Sequence, residues 1–176
     1  MILLGVTGSI SAYKACDIVS TLKKETEINV IMTKSATKFV TPLTFQVLSN
    51  NKVYTDTFDE HIPSQINHIE LGKKAKLFII APASANTIAK IANGLADDML
   101  SSTALALPKH VKKLIAPSMN MEMFLNSITK KNLKSLEEQG YKIIQPQKKL
   151  LACGDFGIGA LAEVEDILDE IKSVYK

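Results

Sequence analysis

Short runs of consecutive apolar residues alternate along this chain with stretches whose apolar positions recur every three or four residues. Residues 2–6 and 76–83 (KLFIIAPA) are the clearest runs of the first kind, and 28–33, 113–116 and 141–145 are near-continuous ones. They are too short for helices and lack the in-and-out alternation of a strand with one wet face, so each reads as a strand buried on both sides. Residues 52–55 add a short sixth strand. Between the strands, 10–24 places Ala12, Ala15, Cys16, Val19 and Leu22 on one helical face. Pro42 opens a helix over 42–48, where its missing N–H costs nothing. A short helical turn is expected at 68–74. Residues 84–93 form a helix closed by Gly94. Residues 97–107 form another, with Asp97 and Asp98 in the first turn, where the dipole favours acids. A long helix over 121–139 ends at Gly140, and 163–175 forms the closing helix. The polar stretch 56–65, which holds Pro63, reads as a loop, and so does 146–159. Strands alternating with helices specify a parallel sheet covered on both faces. The expected fold is a doubly wound, Rossmann-like three-layer α/β/α domain with about six strands.

Composition narrows the partners. At 176 residues and 19.2 kDa the chain is expected to form one domain over 1–176. Apolar residues at 46% and charged residues at 22% exclude disordered, collagen-like and disulfide-scaffold chains. No apolar run approaches a membrane span. The apolar start 2–6 lacks a preceding basic region and is cut off by Thr7-Gly8-Ser9, so it is not read as a signal peptide. A cytoplasmic protein with reduced cysteines is expected. A net charge of +3 with dispersed basic residues argues against nucleic acid. All 21 basic residues are Lys, so an anion site must use Lys, backbone N–H groups and hydroxyls. Two cysteines and three histidines in no ligand spacing argue against a metal.

In a doubly wound fold ligands bind beyond the carboxyl ends of the strands, so the residues that follow each strand carry the chemistry. Thr7-Gly8-Ser9-Ile10-Ser11-Ala12 follows strand one. It is either a tight turn with a serine cap or a phosphate cradle at a helix start, and it is not the G-x-G-x-x-G dinucleotide motif. Thr33-Lys34-Ser35 follows strand two, where an NAD site would place a ribose-binding acid; none stands there. Pro82-Ala83-Ser84-Ala85-Asn86-Thr87 supplies a second polar helix start. Two such starts at neighbouring strands favour a mononucleotide over a plain turn. Ala116-Pro117-Ser118-Met119-Asn120-Met121-Glu122-Met123-Phe124 puts three methionines where core filler is little expected, with Asn120 placed to cap a helix or bind a carboxylate. Leu151-Ala152-Cys153 opens a glycine-rich flap with a candidate acid or nucleophile at its base. Cys16 reads as inert core, His61 and His110 as surface, and His68 by itself as structural.

Taken together, TGSISAYK at 7–14, His-Ile-x-Leu at 68–71, PASANT at 82–87, PSMNMEMF at 117–124 and LACGDFGIGALAE at 151–163 resemble the homo-oligomeric flavin-containing cysteine decarboxylases over nearly the whole chain. The resemblance implies FMN held by Gly8, Ser9, Ile10, Thr33, Ser35, Ser84, Ala85, Asn86, Thr87 and Ala116. It implies His68 as the active-site base and Cys153 as the acid of the final reduction. It further implies substrate contacts from Asn120, Met123, Leu151 and Ala152, and an oligomer built from trimers. The flap cysteine narrows the expected substrate to 4′-phosphopantothenoylcysteine, on the route to coenzyme A. Two positions depart from the family pattern: Ala160 and Leu150 stand where many members have Arg. Lys148 and Lys149 are the candidates to replace those phosphate contacts. Bacterial members are commonly fused to a ligase, and no fused ligase domain is expected here.

Three other readings compete. Peptidyl-cysteine decarboxylases of lantibiotic maturation stop at the ene-thiol and do not need Cys153. Flavin prenyltransferases lack the P-x-M-N-x-x-M run and rely on basic residues that fit poorly in a chain without Arg. Flavin-binding regulatory subunits of phosphatases carry long acidic tails.

Overall fold

The computed structural model describes residues 1–60, 66–152 and 154–175. The expectations placed on Cys153 and His61 lie outside the described residues. Six parallel strands form one sheet: β1 (Ile2–Val6), β2 (Ile28–Met32), β3 (Val53–Tyr54), β4 (Leu77–Ala83), β5 (Lys112–Pro117) and β6 (Tyr141–Ile143). Their order is β3-β2-β1-β4-β5-β6. The chain winds outward from β1 to one edge, then outward from β4 to the other. The reversal falls between β1 and β4, where Leu4 pairs with Val30 on one side and Ile79 on the other. A doubly wound sheet opens its ligand crevice at such a reversal.

Burial on both faces follows from the alternation of strand residues. Ile2, Leu4 and Val6 pack with Ile18, Val19 and Leu22 of α1 (Lys14–Leu22), Phe45 of α2 (Pro42–Ser49), and Ile167 and Ile171 of the closing helix Val164–Val174. Leu3 and Phe78 face the opposite layer, built by α3 (Asn67–Lys74), α4 (Ala85–Ala92), α5 (Met99–Leu105) and a later helix, Ser127–Glu138. The expected three layers and six parallel strands are present. Cys16 is half-buried against the first core, where burial pushes its thiol pKa up.

Three local expectations change. The helix expected over 10–24 begins as a 3₁₀ turn, Ile10–Tyr13, before α1. The helix expected over 121–139 is two helices, α6 (Met121–Leu125) and α7 (Ser127–Glu138). Asn126 divides them with an extended ψ of 135°, and its side chain accepts the Ile128 N–H at 2.9 Å. A short polar side chain that bonds its own neighbourhood competes with the helical ladder. The stretch 146–159, expected as a loop, contains an antiparallel hairpin of β7 (Gln147–Leu150) and β8 (Phe156–Ala160). Two lysines and three glycines hide its strand character, which comes from pairing and docking. The helix Val164–Val174, α8, follows.

The hairpin docks through backbone on the loop after β5: the Met119 N–H donates to the Gly159 carbonyl at 2.9 Å. Gly159 has φ +142°, and a Cβ there would stand 2.3 Å from the Met119 carbonyl oxygen. Gly159→Ala is therefore expected to lower stability by about 1–3 kcal/mol, read as a fall in urea midpoint at unchanged m-value. Gly94→Ala, at φ +72° with nothing within 4 Å of the new Cβ, is expected to cost about 1 kcal/mol.

Candidate functional site

The ends of β1 and β4 are tied by a buried hydroxyl. Thr7 Oγ1 donates to the Pro82 carbonyl at 2.7 Å and accepts the Ser84 N–H at 2.8 Å. This fixes two helix starts side by side. In one, Ser9 accepts the Ser11 N–H at 3.2 Å. In the other, Ser84 accepts the Thr87 N–H at 3.4 Å as the N-cap of α4. Ser118, at the end of β5, joins the first: its hydroxyl lies 3.1 Å from both the Ser9 and the Ser11 hydroxyls. Hydroxyl donors from β1 and β5 thus meet in one buried patch. Gly8 packs so closely on Ser35 that a Cβ would stand 2.5 Å from the serine Cβ.

Above this patch opens a cleft of about 600 Å³, within the range of small-molecule and cofactor sites. It brings together Gly8, Ser9, Ile10, Ser84 and Ala85 from the two helix starts. Asn120, Met123, Leu151 and Ala152, expected on the substrate side, line the same space. The other expected residues do not line it. Thr33 accepts the Ala36 N–H at 3.2 Å, and Ser35 sits behind Gly8. Asn86 is exposed, while Thr87 and Ala116 are buried. His68 lies on α3 away from the cleft, with a buried Nδ1 that has no partner among the described residues. Asn120 accepts the Glu122 N–H at 2.8 Å and so caps α6, which orients its carboxamide at the cleft wall.

The structure adds residues that sequence reasoning did not assign. Ser11 and Ser118 complete the hydroxyl patch, and their places inside the 7–14 and 117–124 motifs were the available signal. Phe39 lines the cleft from a connection with no periodicity to reveal it. Among the described residues the cations lining the cleft are Lys14, which the sequence did not point to, and Lys149, one of the two expected phosphate candidates; Glu163 joins them at 3.3 and 3.0 Å. The hydrogen bonds from Lys149 and Lys14 hold the Glu163 carboxyl below the usual range, and the Glu163 bond raises Lys149. Among the described residues no group of acids, His and Cys could hold a metal ion, and no helix is long and apolar enough to cross a membrane.

A doubly wound α/β protein with paired hydroxyl-lined helix starts over one cleft is of the nucleotide-binding class. The chain belongs to the Flavoprotein family, whose model matches residues 1–176. It is 52% identical over 172 residues to a probable phosphopantothenoylcysteine decarboxylase of Streptococcus mutans, covering 97% of this chain and 96% of that one. It is 49% identical over 168 residues to the coenzyme A biosynthesis bifunctional protein CoaBC of Bacillus subtilis, covering 95% of this chain and 41% of that protein. Its fold matches a PPC decarboxylase mutant complexed with pantothenoylaminoethenethiol, with a TM-score of 0.89, 34% identity and coverage of 98% and 96% of the two chains. It also matches the FMN binding protein AtHal3, with a TM-score of 0.85, 35% identity and coverage of 98% and 94%. The likeness to cysteine decarboxylases read from the motifs is met.

Two outcomes follow from this geometry. Thr7→Val keeps the shape but leaves the Ser84 N–H without its acceptor, and is expected to cost about 1–3 kcal/mol, while Thr7→Ser keeps most of the stability; urea midpoints check both. Glu163, whose folded pKa is lowered, contributes its tether above the ordinary carboxylate value of 4.5 and loses it as pH falls through the lower folded value. In an NMR titration its midpoint is expected below 4.5, moving upward in Lys149→Gln.

Proposed function

We propose that this protein decarboxylates 4′-phosphopantothenoylcysteine to 4′-phosphopantetheine with FMN as cofactor, acting in the cytoplasm on the route to coenzyme A, and that residues 1–176 carry this activity by themselves. The carrying observation is the single cleft in which a hydroxyl-lined pair of helix starts meets Asn120, Met123 and the flap residues Leu151 and Ala152. The residues fit a flavin mononucleotide. The Gly8–Ile10 loop, with Gly8 pressed on Ser35, offers backbone N–H groups to a phosphate. Ser9, Ser11 and Ser84 add hydroxyls, and Ile10, Phe39 and Met119 offer apolar surface to a flat ring.

Direct loss of CO2 from a cysteinyl carboxylate would leave a carbanion with no electron sink. The Gly8–Ile10 loop and the Ser9, Ser11 and Ser84 hydroxyls would hold FMN in the cleft, where it would supply the reversible two-electron redox chemistry that side chains lack. With the thiol oxidised to a thioaldehyde, a C=S group stands β to the carboxylate, and loss of CO2 places the electron pair on sulfur as an ene-thiolate. His68 takes the thiol proton in the oxidation. Asn120 holds the carboxylate so that its bond to Cα is aligned for cleavage. Cys153 would donate the proton of the final reduction.

His68 does not line the cleft of its own chain, which supports a reading in which neighbouring copies complete each other's sites in an oligomer built from trimers. Exposed apolar side chains favour the same reading: Ile10 and Tyr13 at 58% and Phe39 at 51% line the cleft, and Leu43 and Val47 stand one turn apart on α2 at 64% and 71%.

The test is anaerobic incubation of the yellow, FMN-loaded protein with 4′-phosphopantothenoylcysteine. The wild type is expected to release CO2 and form 4′-phosphopantetheine, and light scattering to give a mass of three protomers of 19.2 kDa or a multiple of that trimer. His68→Asn is expected to release no CO2. Cys153→Ser is expected to release CO2 but stop at the ene-thiol, because an alcohol is a far weaker acid than a thiol with a reference pKa of about 8.5. A wild type that releases no CO2, or whose heat-released chromophore contains adenine, would overturn the proposal.

A further inference from the structure

One charged cluster in the cleft lies outside the reaction steps above. Glu163 occupies the N-cap position of α8, yet its carboxylate makes no capping hydrogen bond. It reaches two lysines on separate elements: Oε2 accepts from Lys14 at 3.3 Å and Oε1 from Lys149 at 3.0 Å. Lys14 opens α1 and is packed, its side chain 18% exposed; Lys149 lies on β7 at the rim. Strand alternation puts Lys148 on the other face of the hairpin, its ammonium 5.8 Å from the centroid of the Phe156 ring. Lys149, and not Lys148, is among the residues that line the cleft.

Two ammonium groups sharing one carboxylate leave one positive charge in surplus at neutral pH. Anion donors at the cleft floor are a separate set, the Gly8–Ile10 loop and the hydroxyls of Ser9, Ser11 and Ser118. The cleft thus carries two sets of anion donors, one on the floor beside the helix starts and one at the rim beside Leu150, Leu151 and Ala152. The chain contains no Arg, so an anion at the rim meets point-charge lysines, which accept a tetrahedral phosphate without demanding a fork geometry.

We propose that Lys14 and Lys149, held in place by Glu163, seat the terminal phosphate of the substrate while the floor of the cleft holds the cofactor phosphate. The proposal rests on the decarboxylase reading above and assigns the residues that distinguish a phosphorylated substrate from its unphosphorylated form. Glu163 is a positioning residue: it gives up no contact to the phosphate and keeps the two ammonium groups at one spot.

The experiment compares 4′-phosphopantothenoylcysteine with pantothenoylcysteine as substrates of FMN-loaded wild type, Lys149→Gln and Lys149→Arg. The wild type is expected to prefer the phosphorylated compound in kcat/KM. Lys149→Gln is expected to reduce that preference roughly tenfold, mostly through KM, the size of one charge-assisted hydrogen bond. Lys149→Arg is expected to restore it. Calorimetric titration with 4′-phosphopantothenate, which lacks the reacting cysteine, is expected to show the same loss in Lys149→Gln and the same rescue. An unchanged preference in Lys149→Gln overturns the proposal, as does loss of bound FMN with the preference intact, which would give the lysines to the cofactor phosphate. A wild type that decarboxylates both compounds equally removes the rim seat and leaves the decarboxylase reading standing. A wild type that decarboxylates neither removes that reading, and the titration, which needs no turnover, then decides the seat: equal affinity in wild type and Lys149→Gln overturns it.

Discussion

Thr7 donates to the Pro82 carbonyl and accepts the Ser84 N–H, both below 2.9 Å, and that side chain has no access to solvent. A hydroxyl in this position can serve both partners at once because it carries one proton and two lone pairs. It stands where the sheet reverses its winding, so it joins the two halves of the fold at the point where their helix starts must diverge around a ligand. The Ser9 turn, the Ser84 cap and the contact of Ser118 with Ser9 and Ser11 all take their spacing from it. A methyl in place of this hydroxyl would leave the part-buried Ser84 N–H without its acceptor, and such a loss is larger than the gain from making the bond.

The remainder of the cleft is assembled onto this joint from later parts of the chain. The loop after β5 brings Ser118 to the hydroxyl patch and Asn120 to the wall. The same loop receives the hairpin through Met119 and Gly159. Glycine is required at 159, where φ is +142° and a Cβ would meet the Met119 carbonyl, whereas a Cβ at Gly157 would stand 2.2 Å from the Met121 sulfur and displace that flexible side chain. Gly157 and Gly159 therefore let the hairpin dock closely on the loop after β5. The methionines fit this role because their flexible side chains fill the irregular space left between a hairpin and a short helix.

The layered fold was legible because a strand covered on both faces is apolar almost throughout, as β1 and β4 are; β2, β5 and β6 are recognisable as near-continuous apolar runs although Asn29, Lys112, Lys113 and Lys142 interrupt them. Helix ends were legible where the stopping residue is chemically special, as at Gly94 and Gly140, both with positive φ. The break at Asn126 was not, since asparagine is tolerated within helices and only its bond to Ile128 reveals a cap. The hairpin was missed because Lys148 and Lys149 look like a solvated stretch. The floor of the cleft was readable from residues that follow strands, a rule set by topology. Phe39 and Lys14 were not, because they enter from a connection and from a helix, where position in sequence says little about proximity to a ligand.

Lysine as the sole basic residue shapes the electrostatics of the cleft. A guanidinium could hold a carboxylate with two parallel bonds and stay rigid; an ammonium on a four-carbon stem needs an external constraint to hold one position. Glu163 supplies that constraint for two lysines at once, and the cost of ordering one long side chain is shared between two bonds. The exposed setting keeps each bond individually weak, since solvent-facing ion pairs contribute about 0–1 kcal/mol. The value of the cluster lies in preorganisation rather than in stability: an anion arriving at the rim finds its two cations already placed, and less freedom remains to be lost on binding.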